Sequence, residues 1–173
     1  MVWFVSNSPA KGSGSMKAGL MRIVFVALVV TIWLSGEKAM AVDGLITLRS
    51  GFGPEETMGR FEAEVRARGM TIFCQIDHAA GAVAAGMRLR PTNLIIFGGA
   101  KGGTPLMQSV QTSGIDLPLK VLVWQDEAGS TFLSYNDPAY VVRRHGVDRA
   151  TEPVIDGMSA ALKAMAEKSI AVR

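Results

Sequence analysis

The feature that most constrains this chain is a nearly uninterrupted apolar run close to its start, Ile23–Leu34 (IVFVALVVTIWL). Lys17 and Arg22 precede the run, and the tripeptide Ala39-Met40-Ala41 follows it after a short polar stretch. A basic start, an apolar stretch of roughly 7–15 residues and a small-x-small cleavage site are typical of a secretory signal peptide. We therefore predict that residues 1–41 are a signal peptide that is cleaved off, and that the mature protein is periplasmic or secreted.

Two alternatives remain open for this N-terminal segment. The apolar run could stay as an uncleaved membrane anchor, although a membrane-spanning helix needs about 20 apolar residues and this run is shorter. If it is cleaved, the protein contacts a membrane only through the transient signal peptide. Residues 1–15 precede the basic region and are either a long polar start or a segment upstream of the true initiator, Met16 or Met21.

The charge balance changes once this segment is set aside. The chain carries 18 basic and 15 acidic residues, and four of the basic but one of the acidic residues lie within residues 1–41. The remaining 132 residues carry 14 of each and have no net charge. We therefore expect no nucleic-acid partner. A domain of this length has room for one hydrophobic core.

Cysteine and histidine are scarce. Cys74 is the single cysteine and the chain holds two histidines, so the sequence predicts neither an internal disulfide nor a metal site. Cys74 lies in the middle of a predicted strand, and we expect it to be a small buried apolar residue, not a nucleophile. The sequence assigns no cofactor.

Hydrophobic periodicity predicts alternating strands and helices after the apolar run. The predicted strands are residues 44–50, 71–77, 92–98, 120–126 and 131–136. The predicted helices begin at Pro54, His78, Pro105 (with Thr104 as its N-cap) and Pro138, and a last helix carries Val154, Met158, Leu162 and Met165. A short Gly-containing turn joins the last two strands and predicts an antiparallel hairpin. We therefore predict that residues 42–173 form a single α+β domain, a two-layer fold with one mixed, mainly antiparallel sheet backed by helices.

A glycine-rich segment between the third strand and the next helix is the first candidate ligand site. It contains Gly98, Gly99, Lys101, Gly102, Gly103 and Thr104. Backbone N–H groups and the dipole at a helix N-terminus favour an anion, and Lys101 and Lys120 add positive charge. The alternative is a tight strand-to-helix connection that needs glycine for positive φ.

Asp77 and His78 form the second candidate site, at the end of the second predicted strand. A carboxylate beside an imidazole can serve as an acid–base pair. The alternative is that Asp77 caps the following helix, with His78 in its first turn. His145 falls in the last turn of a predicted helix, where the helix dipole accounts for it without a function. Lys120 is either a solvated strand end or, together with Asp116, part of a polar rim near the glycines.

Four collinear motifs carry a resemblance to a known family. They are IDHAAGA (76–82), LRPTNLIIFGGAKGGTPLMQ (89–108), GIDLPLKVLVWQDEAG (114–129) and LSYNDPAY (133–140). Together they resemble Domain of Unknown Function family 302 over roughly residues 70–145. The resemblance implies a compact α+β domain that assembles as a homodimer, and it implies no established enzymatic activity. The best-matched positions are Asp77, His78, Pro91, Thr92, Gly98, Gly102 or Gly103, Thr104, Pro105, Asp116, Pro118, Lys120, Tyr135 and Pro138.

Three functions therefore stay open at this level. The first is an exported domain that binds a small ligand, either anionic or neutral, at the glycine-rich segment. The second is an enzyme that uses Asp77 and His78 as an acid–base pair. The third is a homodimeric interaction module. Convergence of His78, Lys101 and Lys120 on one pocket would favour the first two, and their separation would favour the third.

Overall fold

The alternating segments pair into one five-stranded sheet in the order β1-β5-β4-β3-β2. In the computed structural model, which describes residues 42–172, the strands are β1 (Leu45–Arg49), β2 (Thr71–Asp77), β3 (Thr92–Gly98), β4 (Leu119–Gln125) and β5 (Thr131–Asn136). All four neighbouring pairs of these strands are antiparallel. The predicted α+β class is confirmed. The predicted signal peptide lies outside the described residues.

Five α-helices connect or follow the strands. They are α1 (Pro54–Ala67), α2 (His78–Ala84), α3 (Ala100–Ser109), α4 (Pro138–His145) and α5 (Glu152–Ile170), with short 3-10 turns at Gln111–Ile115 and Arg149–Thr151. Local signals set their ends. Asp137 caps α4 by accepting a hydrogen bond from the Ala139 N–H, and Gly146 ends it in a left-handed conformation.

The main core lies between one face of the sheet and the helices α1 and α5. Phe61 of α1 and Phe97 of β3 are fully buried, and their rings meet edge to face with centroids 5.2 Å apart. The other buried members are Met58, Val65, Ile95, Val121, Val123, Leu133, Tyr135, Leu162, Met165 and Ala166. The predicted stripe of α1 therefore faces the sheet, as do Leu162 and Met165 of the predicted α5 stripe. A smaller cluster around Leu106, Val147 and Ile155 joins α3 to α5.

The opposite face of the sheet carries a second set of apolar side chains, which we call the open face. Its central members alternate along the strands with the core residues and are Cys74, Ile76, Leu94, Ile96, Leu122, Trp124 and Phe132. None of them belongs to the core clusters formed by the described residues. One layer of helices thus covers one face of this sheet.

Strand β2 departs from strict alternation. The sequence places Ile72, Cys74 and Ile76 on one face, but a β-bulge shifts the register between Ile72 and Cys74. Ile72 therefore packs against the main core, whereas Cys74 lies opposite Ile96 on the open face. The prediction that Cys74 is buried was wrong, because the bulge and the edge position of β2 leave its thiol exposed.

Helix α3 begins five residues earlier than the sequence indicates. We expected Thr104 to be its N-cap, but the helix starts at Ala100, Gly99 is the N-cap and Pro105 lies inside the helix. Pro105 is the sixth residue of α3, so the Lys101 carbonyl lacks the i+4 N–H donor that any other residue at position 105 would supply. The glycine-rich segment is therefore mostly helical and is not a loop.

Candidate functional site

The glycines of the β3–α3 junction do not adopt an unusual backbone conformation. None of the positive-φ glycines of the described chain lies between Gly98 and Gly103. A Cβ at Gly103 would stand 3.4 Å from the Leu117 side chain, and one at Gly102 would stand 3.8 Å from Met158. The expectation of a positive-φ connection was therefore wrong. Both distances are those of ordinary van der Waals contacts, so packing does not require glycine at either position.

The start of α3 nevertheless keeps features of an anion site. Gly99 supplies no side-chain cap, so the first N–H groups of the helix receive no bond from it. Lys101 is exposed in the first turn, and Thr104 is also exposed. Lys120 is engaged differently, because its ammonium donates to the carbonyl oxygens of Asp116 and Pro118, both at 2.9 Å. Partial burial lowers the pKa of Lys120 below 10.5, against the opposing effect of the Asp116 carboxylate.

Asp77 takes the role of a helix cap. Its Oδ1 accepts a hydrogen bond from the Ala80 N–H at 2.9 Å, at the start of α2. His78 is the first residue of that helix and is exposed. The geometry gives Asp77 the capping role that the sequence offered as the alternative. A carboxylate that caps a helix is already occupied by a backbone partner.

The predicted site residues do not converge. Asp77 lies opposite Asn93 at the start of β3, whereas Lys120 lies opposite Ile96, roughly 10 Å further along the strand at about 3.3 Å per residue. Lys101 follows the far end of β3. His78 and Lys101 are therefore at opposite ends of the sheet. By the criterion set out from the sequence, this separation favours an interaction module.

One concave feature adjoins Asp77. An open cleft of ≈ 440 Å³ lies between the start of α1 and the β2–α2 junction; it is lined by Gly53, Pro54, Glu55, Glu56, Asp77, Ala79, Pro91 and Asn93. Three carboxylates and no lysine or arginine line it, so its charge disfavours an anionic ligand. In the described part of the chain, no group of three His, Cys, Asp or Glu side chains is placed to hold a metal ion.

A polar cluster that the sequence did not single out lies between α4 and the segment before β4. The Nε2 atom of His145 is 2.6 Å from Oδ2 of Asp116, and Nη1 of Arg144 is 3.1 Å from Oδ1. On the other side of the ring, Nδ1 of His145 is 3.3 Å from the hydroxyl oxygen of Thr112. The side chains of His145 and Asp116 are 10% and 13% exposed, respectively.

Local sequence patterns do not indicate this cluster. Asp116 and His145 are 29 residues apart, and each has an ordinary local explanation as a loop residue or a helix-end residue. The Lys120 ammonium donates to the backbone carbonyl of Asp116, whereas the Asp116 carboxylate contacts Arg144 and His145. Only the packing of α4 against the 3-10 turn brings His145 to the carboxylate.

The open face has a polar margin at its β1 side. The Trp124 indole N–H donates to the Ser134 hydroxyl at 2.9 Å, and Ser134 also bonds Thr47 across the strands at 2.9 Å. The Trp124 ring stacks on Phe132 with centroids 4.8 Å apart. The apolar centre of the face therefore lies toward β2, β3 and β4.

A five-stranded antiparallel sheet with one helix-covered face and dispersed polar residues defines a small α+β domain. More particularly, the chain belongs to the family described as Domain of unknown function DUF302, which matches residues 46–165. A solved structure of an uncharacterized conserved DUF302 protein from Bacillus stearothermophilus is similar with a TM-score of 0.66, over 74% of this chain and 99% of that chain. Its sequence identity of 19% limits this likeness to the fold. The family resemblance is confirmed.

Curated relatives of this chain are named as fluoride channels. "Fluoride-specific ion channel FluC 1" of Brucella suis biovar 1 (strain 1330) is 35% identical over 175 residues, covering 90% of this chain and 69% of that protein. "Fluoride-specific ion channel FluC 2" of Brucella melitensis biotype 1 (strain ATCC 23456 / CCUG 17765 / NCTC 10094 / 16M) is 43% identical over 116 residues, covering 67% of this chain and 43% of that protein. The match to the FluC 1 protein of Brucella abortus biovar 1 (strain 9-941) covers 65% of that protein's length. Among the described helices of the present chain, none is long and apolar enough to cross a membrane.

Proposed function

We propose that this protein is an exported interaction domain that associates with a second copy of itself through the open face of its sheet. The observation that carries the proposal is the apolar centre of that face, which the described helices leave outside both core clusters. Sheets bury an apolar face against another layer. A second sheet, stacked about 10 Å away, supplies such a layer.

The charge distribution on this face suits a second copy. Arg49 and Lys120 share the face but stand at its margin, and both have partners: Arg49 donates to the Ser130 hydroxyl and Lys120 to two carbonyl oxygens. The centre carries no charged side chain among the described residues. In a two-fold dimer each patch meets its own kind, and an uncharged centre avoids the repulsion that like charges would cause. The family resemblance points to the same homodimer.

Native mass spectrometry of the full chain, expressed with export, tests the proposal as a whole. In the periplasmic fraction we expect a chain that begins at Val42. Its native mass should be twice that of one mature chain. An uncleaved chain held in the membrane fraction would contradict the proposed export. A monomer at micromolar concentrations would contradict the proposed self-association.

Two matched substitutions locate the interface. Leu122→Glu places a carboxylate in the centre of the open face and is expected to weaken association by at least roughly 100-fold, since a buried unpaired charge is costly. Val83→Glu, at an exposed apolar position on α2, is the control and should leave the dimer intact. If both variants dissociate equally, or neither does, the open face is not the interface.

The single cysteine offers a probe that needs no engineering. Cys74 is exposed and lies on the open face opposite Ile96. Its reaction with a maleimide should slow as protein concentration rises through the dimer dissociation constant, because association covers the thiol. In Leu122→Glu the rate should not depend on concentration. A concentration-independent rate in the unsubstituted protein would contradict a dimer through this face.

A second candidate function is the binding of a small anion at the start of α3. It is supported by the uncapped N-terminus of α3 beside the exposed Lys101 and by relatives that are named for fluoride. Titration with sodium fluoride and with phosphate, followed by NMR shifts of the Ala100 to Gly102 amides, tests it. We expect the shifts to saturate and to weaken in Lys101→Gln, with Lys163→Gln at an exposed position of α5 as the control. Equal, unsaturable shifts in all three proteins would exclude the site.

A further inference from the structure

The polar cluster of Thr112, His145 and Asp116 has the connectivity of a nucleophile, a base and a group that orients the base. Its members come from two segments of the chain. Thr112 lies in the 3-10 turn Gln111–Ile115, Asp116 follows that turn, and His145 is the last residue of α4. The Asp116 Oδ2 to His145 Nε2 distance is 2.6 Å, and the His145 Nδ1 to Thr112 Oγ1 distance is 3.3 Å.

The carboxylate determines which ring nitrogen can act as a base. A carboxylate only accepts hydrogen bonds, so the proton of a neutral His145 ring is on Nε2, which donates to Asp116. Nδ1 is then unprotonated and accepts a hydrogen bond from the Thr112 hydroxyl. This arrangement leaves the free lone pair of the imidazole directed at a hydroxyl group, which is the requirement for activating a nucleophile.

The two inner groups of the cluster are fixed while the outer one is accessible. Asp116 and His145 are nearly buried, and Arg144 donates to the second carboxylate oxygen at 3.1 Å. Lys120 holds the backbone of the same residue through the Asp116 carbonyl. Thr112, by contrast, is exposed. A substrate can therefore reach the hydroxyl without displacing the pair that would activate it.

We propose that this cluster hydrolyses small activated carboxylic esters. The Thr112 oxygen forms a bond to the ester carbonyl carbon while its proton passes to Nδ1 of His145. The bond from that carbon to the leaving oxygen then breaks, and His145 returns the proton to the leaving alcohol. Water repeats the sequence on the acyl-threonine and releases the acid, so no oxidant, reductant or cofactor is consumed. Asp116 is a positioning residue because it acts through His145.

The test is the hydrolysis of p-nitrophenyl acetate by the full chain. Thr112→Val removes the hydroxyl with little change in shape, and His145→Gln removes the base. Each is expected to lower kcat at least about 100-fold, the lower end of what a positioned base contributes. Asp116→Asn should lower kcat while leaving KM unchanged, because it disturbs the ring tautomer and not substrate contact.

The chain contains its own matched control in the other Asp–His pair. An exposed histidine can hydrolyse this ester without a site, so Asp77→Asn and His78→Gln must be measured alongside. We expect both to retain the rate of the unsubstituted protein; asparagine still caps a helix. If His78→Gln lowers the rate as much as His145→Gln does, the activity is unspecific and the proposal fails.

Covalent labelling of Thr112 distinguishes a catalytic role of the cluster from a purely structural one. A fluorophosphonate should label the peptide containing Thr112 in the unsubstituted protein, and the label should disappear in His145→Gln. Thermal unfolding checks that each variant is folded. Should His145→Gln unfold, Thr112→Val decides, because its side chain is exposed. A folded Thr112→Val protein with unchanged kcat and no difference in labelling overturns the proposal.

Discussion

The two faces of the sheet are built from the same strands but meet different surroundings. On the covered face, Leu133 and Val123 are fully buried under α1 and α5. On the open face, the neighbouring Leu122 and Phe132 stay partly exposed. Because side chains alternate along β4 and β5, residues of similar chemistry lie on opposite faces of the sheet and differ in burial. Apolar composition alone does not say which face stabilises the monomer and which is available to a partner.

The largest expected difference between the faces comes from a matched pair of leucines. Leu133→Ala removes a fully buried side chain and should lower the unfolding free energy by about 2–5 kcal/mol, since the cavity adds to the lost transfer energy. Leu122→Ala should cost less than about 1.5 kcal/mol in a dilute, monomeric sample. Urea denaturation of both variants measures the difference, and equal losses would mean that the open face is as well packed as the core.

A smaller effect tests the polar margin of the open face. Ser134→Ala removes the acceptor of the Trp124 indole N–H and the partner of Thr47. The expected loss is about 0.5–1.5 kcal/mol, the usual net contribution of such hydrogen bonds. Trp124 fluorescence should also shift, because the indole loses its partner. Thr92→Ala is the control, because Thr92 lies on the same face but bonds to the Arg90 carbonyl. An equal loss of unfolding free energy in both variants would mean that any polar substitution on this face destabilises the protein.

The smallest expected effect concerns pH and the covered face. Burial, followed by the charges of Glu167 and Asp137, raises the pKa of Tyr135 above 10.0. The unfolded chain ionises this tyrosine first, so the folded state binds more protons and the unfolding free energy falls as pH rises from 10.0 toward the raised value. Lys120, whose pKa is lowered, acts in the opposite sense below 10.5.

Tyr135→Phe isolates this contribution. Its denaturation midpoint should decline less between pH 9 and pH 11 than that of the unsubstituted protein. Tyr140→Phe, at a partly exposed position on α4, provides the matched comparison. An identical decline for Tyr135→Phe and the unsubstituted protein would show that the covered face does not perturb this phenol.

Much of the fold could be predicted from the sequence. The bounds of β2, β3 and β5 agree with the predicted strands, and the apolar stripe of Met58, Phe61 and Val65 faces the core as its spacing indicates. These features depend on local periodicity and on side-chain burial, which repeat along the chain. The start of α3 was predicted wrongly because Thr104 and Pro105 are strong start signals, and Gly102 and Gly103 directly before them have low helix propensity.

The candidate sites could be predicted less well. Asp77 and His78 are neighbours in sequence, and their adjacency indicated a pair, yet the carboxylate caps α2. Asp116 and His145 are distant in sequence and form the closer pair. A contact between residues from separate elements depends on how those elements pack, and no local pattern records it.

The sequence by itself determined the family, through its collinear motifs. It also determined the α+β class and the order of strands and helices, because periodicity and end signals act over a few residues. It also determined that the segment after residue 41 is charge-balanced and holds one cysteine. Only the tertiary structure decided which face of the sheet is covered. It also exposed Cys74 through a β-bulge and joined His145 to Asp116. Those outcomes arise from contacts between distant segments, whose energies exist only once the chain has folded.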